Sequence, residues 1–180
     1  MSAAPPTDAV LPQSNGLFVL TNTTGVRLSG LTLTEATWLL DRDGFVQAQA
    51  GCIVKGPAGS DGGFDKWVCM PGSVEVHRGR GCSFDNNAFT RLGAAGIALV
   101  GGSQANAVTG SLFYDISGTA VSIGDIASYN ETDLDNHDAD NTISDCTVRD
   151  VAREYLGACG ITAFYSRGTM VEHNEVFHVP

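Results

Sequence analysis

Apolar and polar positions alternate with a period of two through Val26-Arg-Leu28, Leu31-Thr-Leu33, Ile97-Ala-Leu99 and Val121-Ser-Ile123. Such alternation, with β-branched residues prominent and Gly or Asn between the runs, predicts short strands. Helical spacing never persists beyond about two turns. The strands also recur in register. Phe84, Asn87, Phe89, Leu92 and Ile97 return 24 residues later as Val108, Ser111, Phe113, Ile116 and Val121. A shift of 35 carries Val108, Phe113 and Ile116 to Ile143, Val148 and Val151, and a further 28 gives Val171, Val176 and Val179. Backwards, a shift of 56 maps Val74, Val76, Gly81, Cys82, Phe84 and Phe89 onto Phe18, Leu20, Gly25, Val26, Leu28 and Leu33.

Columns that hold while the spacing between them changes mark a solenoid whose loops absorb the insertions. A unit of 24 residues is short for a βαβ crossover, but it accommodates one coil of three short strands. The predicted fold is all-β: a right-handed parallel β-helix of four to five rungs. A two-layer β-sandwich is the alternative, although sandwiches do not demand register-matched columns. Gly96, Gly118 and Gly160, each just ahead of a strand, are read as bends that only glycine enters cheaply. Residues 1–16 form a polar lead-in without the basic and apolar stretches of a signal peptide. Residues 17–180 form the helix, with insertion loops near 57–71, 125–140 and 152–156. The last coil, ending at Val179-Pro180, has no polar cap after it, so the expectation is a fragment of a longer helix, with remaining rungs of the same polypeptide.

Charge narrows the partners. Twenty acidic residues against ten basic ones give a net charge of −10, a surface that repels phosphate backbones and anionic lipid heads. No nucleic acid is expected as a partner. No apolar run is long enough for a membrane span. Five cysteines leave at least one unpaired within the chain. Cys52 and Cys69 bracket the 57–71 insertion, at positions open to a disulfide, whereas Cys82, Cys146 and Cys159 read as buried small residues.

A resemblance adds to this reading. The run Thr-Val-Arg-Asp-Val-Ala-Arg-Glu-Tyr-Leu-Gly from Thr147 to Gly157, within Asn141 to Ile161, and the following Tyr165 to Glu175 resemble secreted right-handed β-helix proteins of the pectate-lyase-like superfamily. Gly30-Leu-Thr-Leu-Thr-Glu-Ala-Thr-Trp38 looks like an earlier segment of the same proteins, and the nearest set is similar to glycoside hydrolase family 141. Leu156 stands where that pattern has a histidine. The resemblance implies a polysaccharide or glycan as substrate and an extracellular or cell-surface setting. It does not choose among lyases, hydrolases and non-enzymes.

Stacked coils turn columns into proximity, about 4.8 Å per rung. Asp125 follows a strand, and Tyr165, with Arg167 close behind, succeeds it one rung on. Glu154 and Tyr155 sit in the small insertion that feeds the next rung, and Trp38 opens an earlier one. Asp125 and Glu154 are therefore the expected catalytic pair, with Tyr155, Tyr165, Arg167 and Trp38 contacting sugar. Asp115 and Asp150, in one column with Arg91 and His178, are the substitute pair, or equally a surface ladder in which the two cations offset the acids. The column of Asn86, Gly110, Asp145 and His173 reads as a polar ladder, and Asn87 and Asn174 as turn-bonding residues. No cofactor is expected. The acidic run Glu131 to Asp140 lacks the glycine and final glutamate of an EF-hand, leaving Ca²⁺ a weak expectation there. The function expected is a polysaccharide-acting glycoside hydrolase. A non-catalytic glycan-binding β-helix is the alternative, and a lyase is third because no basic cluster is present to neutralise a uronate.

Overall fold

A computed structural model describes residues 9–46, 52–56 and 67–180. Five coils of three strands follow one another. The first holds β1 (Phe18–Thr21), β2 (Arg27–Ser29) and β3 (Thr32–Ala36). A long insertion then carries β4 (Ile53–Lys55) and β5 (Trp67–Cys69). The second coil is β6 (Gly72–His77), β7 (Ser83–Asp85) and β8 (Ala88–Leu92), and the third is β9 (Ala95–Val100), β10 (Ala107–Thr109) and β11 (Leu112–Ile116). The fourth is β12 (Val121–Ile123), β13 (Thr142–Ser144) and β14 (Thr147–Arg149), and the fifth is β15 (Ile161–Ala163), β16 (Met170–Glu172) and β17 (Glu175–Phe177). Like strands of successive coils pair in parallel, giving three five-stranded sheets. The fold is a parallel β-helix. Of the insertion expected at 57–71, only the part from Trp67 onward lies within the described residues, as does the lead-in only from Ala9.

The repeat columns are the ladder register itself. Leu28, Phe84, Val108, Ile143 and Val171 stand in one file, and Leu33, Phe89, Phe113, Val148 and Val176 in another. Inward side chains therefore stack like on like. The rings of Phe89 and Phe113 lie 4.6 Å apart and nearly parallel, at 9°. Ile143 and Val148 are fully buried, while their successors Val171 and Val176 on the fifth coil are 49% and 47% exposed.

Corners between strands need a left-handed residue, and these too form columns. Gly25, Gly81, Ala105, Asp140 and Gly168 occupy one, all with positive φ. Gly30, Asn86, Gly110, Asp145 and His173 occupy another. A third is Glu35, Arg91, Asp115, Asp150 and His178. Asn and Asp tolerate this conformation better than most residues, and the regularity of the coil holds the others there. The glycines expected at bends are a different case. Gly96, Gly118 and Gly160 are not left-handed; a Cβ at Gly96 would lie 2.6 Å from the Ala120 carbonyl oxygen and one at Gly118 2.3 Å from Met70 Sδ. Gly118 and Gly160 lie at bends as expected, whereas Gly96 lies within β9, and at all three the close approach of a neighbour leaves no room for a side chain.

Parallel coils leave backbone groups unpaired at each inner corner, and amide side chains satisfy them. Asn87 Oδ1 accepts from the Leu31 amide at 3.0 Å, and its Nδ2 donates to the Leu28 carbonyl at 3.0 Å. Asn174 does the same in this corner file three coils further on, accepting from the Cys146 amide and donating to the Ile143 carbonyl. A second ladder runs through Asn106 and Asn141. Asn106 Oδ1 accepts from the Cys82 amide at 2.9 Å, and its Nδ2 donates to the Gly79 carbonyl at 3.0 Å and to Asn141 Oδ1 at 2.9 Å. Asn106 is 1% exposed. Replacing it with Ala strands those groups away from water, each at about 1–3 kcal/mol. Urea unfolding of Asn106→Ala should show a loss of about 2–4 kcal/mol, and a loss under about 0.5 kcal/mol would mean that water replaces the ladder freely.

Candidate functional site

Along β6, Val74 and Val76 point into the core, so Glu75 and His77 alternate outward. Register sets Ala98 beside Glu75 and Val100 beside His77 on the next coil. The outer face of this sheet is thus polar on β6 and apolar on β9. The insertion after β3 folds over it, pairing β4 with β5 antiparallel. Between sheet and insertion lies a cavity of about 600 Å³, within the range of small-ligand sites. Glu75, His77, Ala98, Val100 and Asp125 line the sheet side; Trp38, Asp41, Asp43, Lys55 and Cys69 are among those lining the insertion side.

Asp125 reaches this cavity from the end of β12. Gly124 precedes it with φ of +75°, and a Cβ there would meet the Phe164 carbonyl oxygen, so only glycine allows the exit. The Asp125 carboxylate caps the short 3₁₀ turn Ile126–Asn130, accepting from the Ala127 amide at 3.4 Å and from the Cys69 amide at 3.2 Å. Burial raises its pKa above the usual carboxylate value, with those amides and the nearby His77 pulling the other way. Glu75 Oε2 and His77 Nε2 lie 2.8 Å apart. At the rim, Lys55 Nζ lies 3.3 Å from Asp43 Oδ2.

The other expected residues are spread over the molecule. Glu154 is exposed, and its amide donates to the Ser117 carbonyl at 3.2 Å, ahead of β12, while Asp125 follows the far end of that strand. The structure does not bring this pair together. Tyr155 packs edge-on against Trp38 at 5.6 Å and Phe45 at 5.2 Å, and its hydroxyl donates to the Trp38 carbonyl at 3.3 Å. It anchors the insertion from behind, whereas Trp38 lines the cavity. Tyr165 is 46% exposed and meets Tyr129 edge-on at 6.4 Å, beyond the Asp125 turn. Arg167 is an exposed corner residue whose amide donates to the Asp138 carbonyl at 3.1 Å. Asp115 and Asp150 occupy a left-handed corner column away from the cavity. Asp150 pairs with Arg149 at 3.0 Å and with His178 at 3.5 Å, and Arg91 pairs with Glu35. Of the two offsets expected, His178 faces Asp150, whereas Arg91 faces Glu35 and not Asp115.

The carboxylates of the acidic run serve local roles. Glu131 accepts from the Thr132 and Asp133 amides, which lower its pKa, and Asp133 caps the turn Leu134–Asn136. Among the described residues, no three His, Cys, Asp or Glu side chains converge as a metal site would require. Nor, among them, is any helix long and apolar enough to cross a membrane. Glu75, His77 and Lys55 were not recognised from sequence. The available signal was the polar outward pair Glu75 and His77 flanking Val76; what the sequence lacks is any mark of which face the insertion covers.

The fold and cavity can now be set beside known proteins. No protein-family model matches the sequence, and no curated protein matches it. A solved structure described as a glycoside hydrolase aligns with a TM-score of 0.79 at 25% identity. The alignment covers 94% of this chain and 33% of that one, so the chain spans about a third of that structure's length.

Asp138, at the end of the same insertion as Asp125, allows a test of local electrostatics. Its Oδ1 accepts from the Gly102 and Ser103 amides at 3.2 and 2.8 Å, while Oδ2 is buried without a hydrogen-bond partner. Burial pushes its pKa up to about 6, against about 3.9 in an unfolded chain. The folded state therefore holds this proton more tightly. The stability it contributes is complete below pH ~4 and is lost as pH rises through about 6. Asp138→Asn keeps an acceptor for the amides without the charge. Denaturant titrations should find the variant more stable than wild type by about 2–3 kcal/mol at pH 7.5 and equal to it near pH 4. A difference that does not change between those pH values would refute the assignment.

Proposed function

We propose that this chain is part of a polysaccharide-acting hydrolase whose active site is the cavity between β6, β9 and the insertion. The observation that carries the reading is a half-buried Asp125, its pKa raised by burial, sharing a cavity with a second carboxylate and an indole. The alignment with a glycoside hydrolase supports it. Glycoside hydrolysis needs one carboxyl that stays protonated to serve the leaving oxygen and another that works ionised. Asp125 suits the first role. Glu75 suits the second, because the adjacent His77 side chain, 2.8 Å away, orients it. Trp38 offers a face on which a sugar ring can stack.

Glu75 is succeeded by Ala98 and then Ser122, so Asp125 lies two coils on and three residues further along the chain, and both side chains line the same cavity. The proposed reaction is hydrolysis, with Asp125 as the acid and Glu75 acting on water. Binding without turnover is the second reading, favoured by the exposed Tyr129 and Tyr165 pair, which suits sugar stacking outside the cavity.

The test is a polysaccharide panel scored for both binding and reducing-end release, followed by variants on any responsive glycan. Asp125→Asn and Glu75→Gln should each lower turnover at least about 100-fold while the fold persists by circular dichroism. Glu154→Gln should stay within a few-fold of wild type. Turnover retained in both cavity variants removes the pair, and binding without product in the wild type favours the second reading.

A further inference from the structure

Two cysteines sit at the base of the insertion, with sixteen residues between them. Cys52 leads into β4 and Cys69 closes β5, where antiparallel register sets Ile53 opposite Cys69. The Met70 amide donates to the Cys52 carbonyl at 2.6 Å, clamping the base of the pair. The two thiols are close enough to act on each other's ionisation, Cys69 drawing that of Cys52 down and Cys52 pushing that of Cys69 up. They are 1% and 8% exposed, and Cys52 packs in an apolar cluster with Met70, Ala95 and Ile126. Cys69 also borders the cavity, which gives a small reagent a way in, and its amide holds Asp125. The remaining cysteines are placed otherwise. Cys82 and Cys146 lie in the core, their sulfurs directed at backbone carbonyls. Cys159 is half-buried and close enough to Cys52 to feel its charge, which makes it the competing partner.

We propose that Cys52 and Cys69 are a redox-closable pair, and that their disulfide staples the insertion that roofs the cavity. The proposal stands independently of the sugar reading, since it concerns the roof and not the ligand. In the step itself two S–H bonds break and one S–S bond forms. One thiolate attacks the S–S bond of a small external disulfide, such as oxidised glutathione, the second resolves the mixed disulfide, and the two protons and two electrons end on the two glutathione thiols released. Closure confines the loop between the cysteines in the unfolded chain, which raises the folded state's relative stability. It also fixes the backbone amide that Asp125 accepts from, so the cavity wall and its carboxylate become one unit.

The experiment equilibrates the full chain in glutathione buffers from reducing to oxidising, quenches with an alkylating reagent, and maps peptides by mass spectrometry. The expected oxidised species loses two thiols and yields one cross-linked peptide joining Cys52 to Cys69, with Cys82, Cys146 and Cys159 alkylated after unfolding. Its thermal midpoint should exceed that of the reduced protein by about 5–10 °C. In Cys69→Ser both the cross-link and the redox-dependent shift should vanish. The wild-type peptide map decides the matter even if that variant folds poorly. A link from Cys52 to Cys159, or Cys52 and Cys69 both alkylated after full oxidation, overturns the proposal.

Discussion

Everything in this molecule is subject to in-register stacking of parallel coils. Each strand hydrogen-bonds to its counterpart one coil earlier and one coil later, so a side chain's surroundings are set by its column. Inward columns become continuous files of Val, Ile, Leu and Phe, and corner columns become files of left-handed residues. Where the ladders stop at inner corners, Asn87, Asn106, Asn141 and Asn174 complete the backbone hydrogen bonding. An amide side chain is suited to this task because it offers a donor and an acceptor together. The coils thereby dispense with α-helix among the described residues.

On such a scaffold the cavity arises by addition. The sheet supplies a flat outer face, and a flat face has no interior in which to hold a ligand. The insertion after β3 creates that interior by lying across β6 and β9, held by Tyr155 against Trp38 and Phe45 and by Met70 seated over Gly118. The insertion after β12 adds the titratable groups. Its first residue, Asp125, and its late residue, Asp138, are both carboxylates whose charge is disfavoured by burial and partly compensated by backbone amides. A group of that kind costs stability, which is the usual sign of a site selected for something other than folding.

The scaffold was legible in the sequence to an unusual degree. Shifts of 56, 24, 35 and 28 reproduce the register from Leu28 to Phe84 to Val108 to Ile143 to Val171, because a parallel ladder admits no slippage while one face is buried. Gly118 and Gly160 lie at bends as expected, but Gly96 stands inside β9, since the sequence reports that a side chain is excluded without reporting why. The site was half legible. Asp125 could be placed because it follows a recognisable strand. Glu154 could not, because its insertion turns back onto Ser117 instead of forward along the sheet. Glu75 and His77 looked like ordinary outward residues, and became cavity walls only through a roof whose path is not written in any period.

The corner columns carry a consequence for how such a molecule changes over time. Because length varies only at corners, a segment as long as that between β3 and β6 enters without disturbing the pairing of Leu33 with Phe89 on either side of it. The frame is therefore modular in a strict mechanical sense: new binding chemistry is grafted at a hinge point, while the ladder beneath registers nothing. Transplanting the whole span from Trp38 to Pro71 onto another coil would be a change of address for the cavity, leaving the stack itself unaltered.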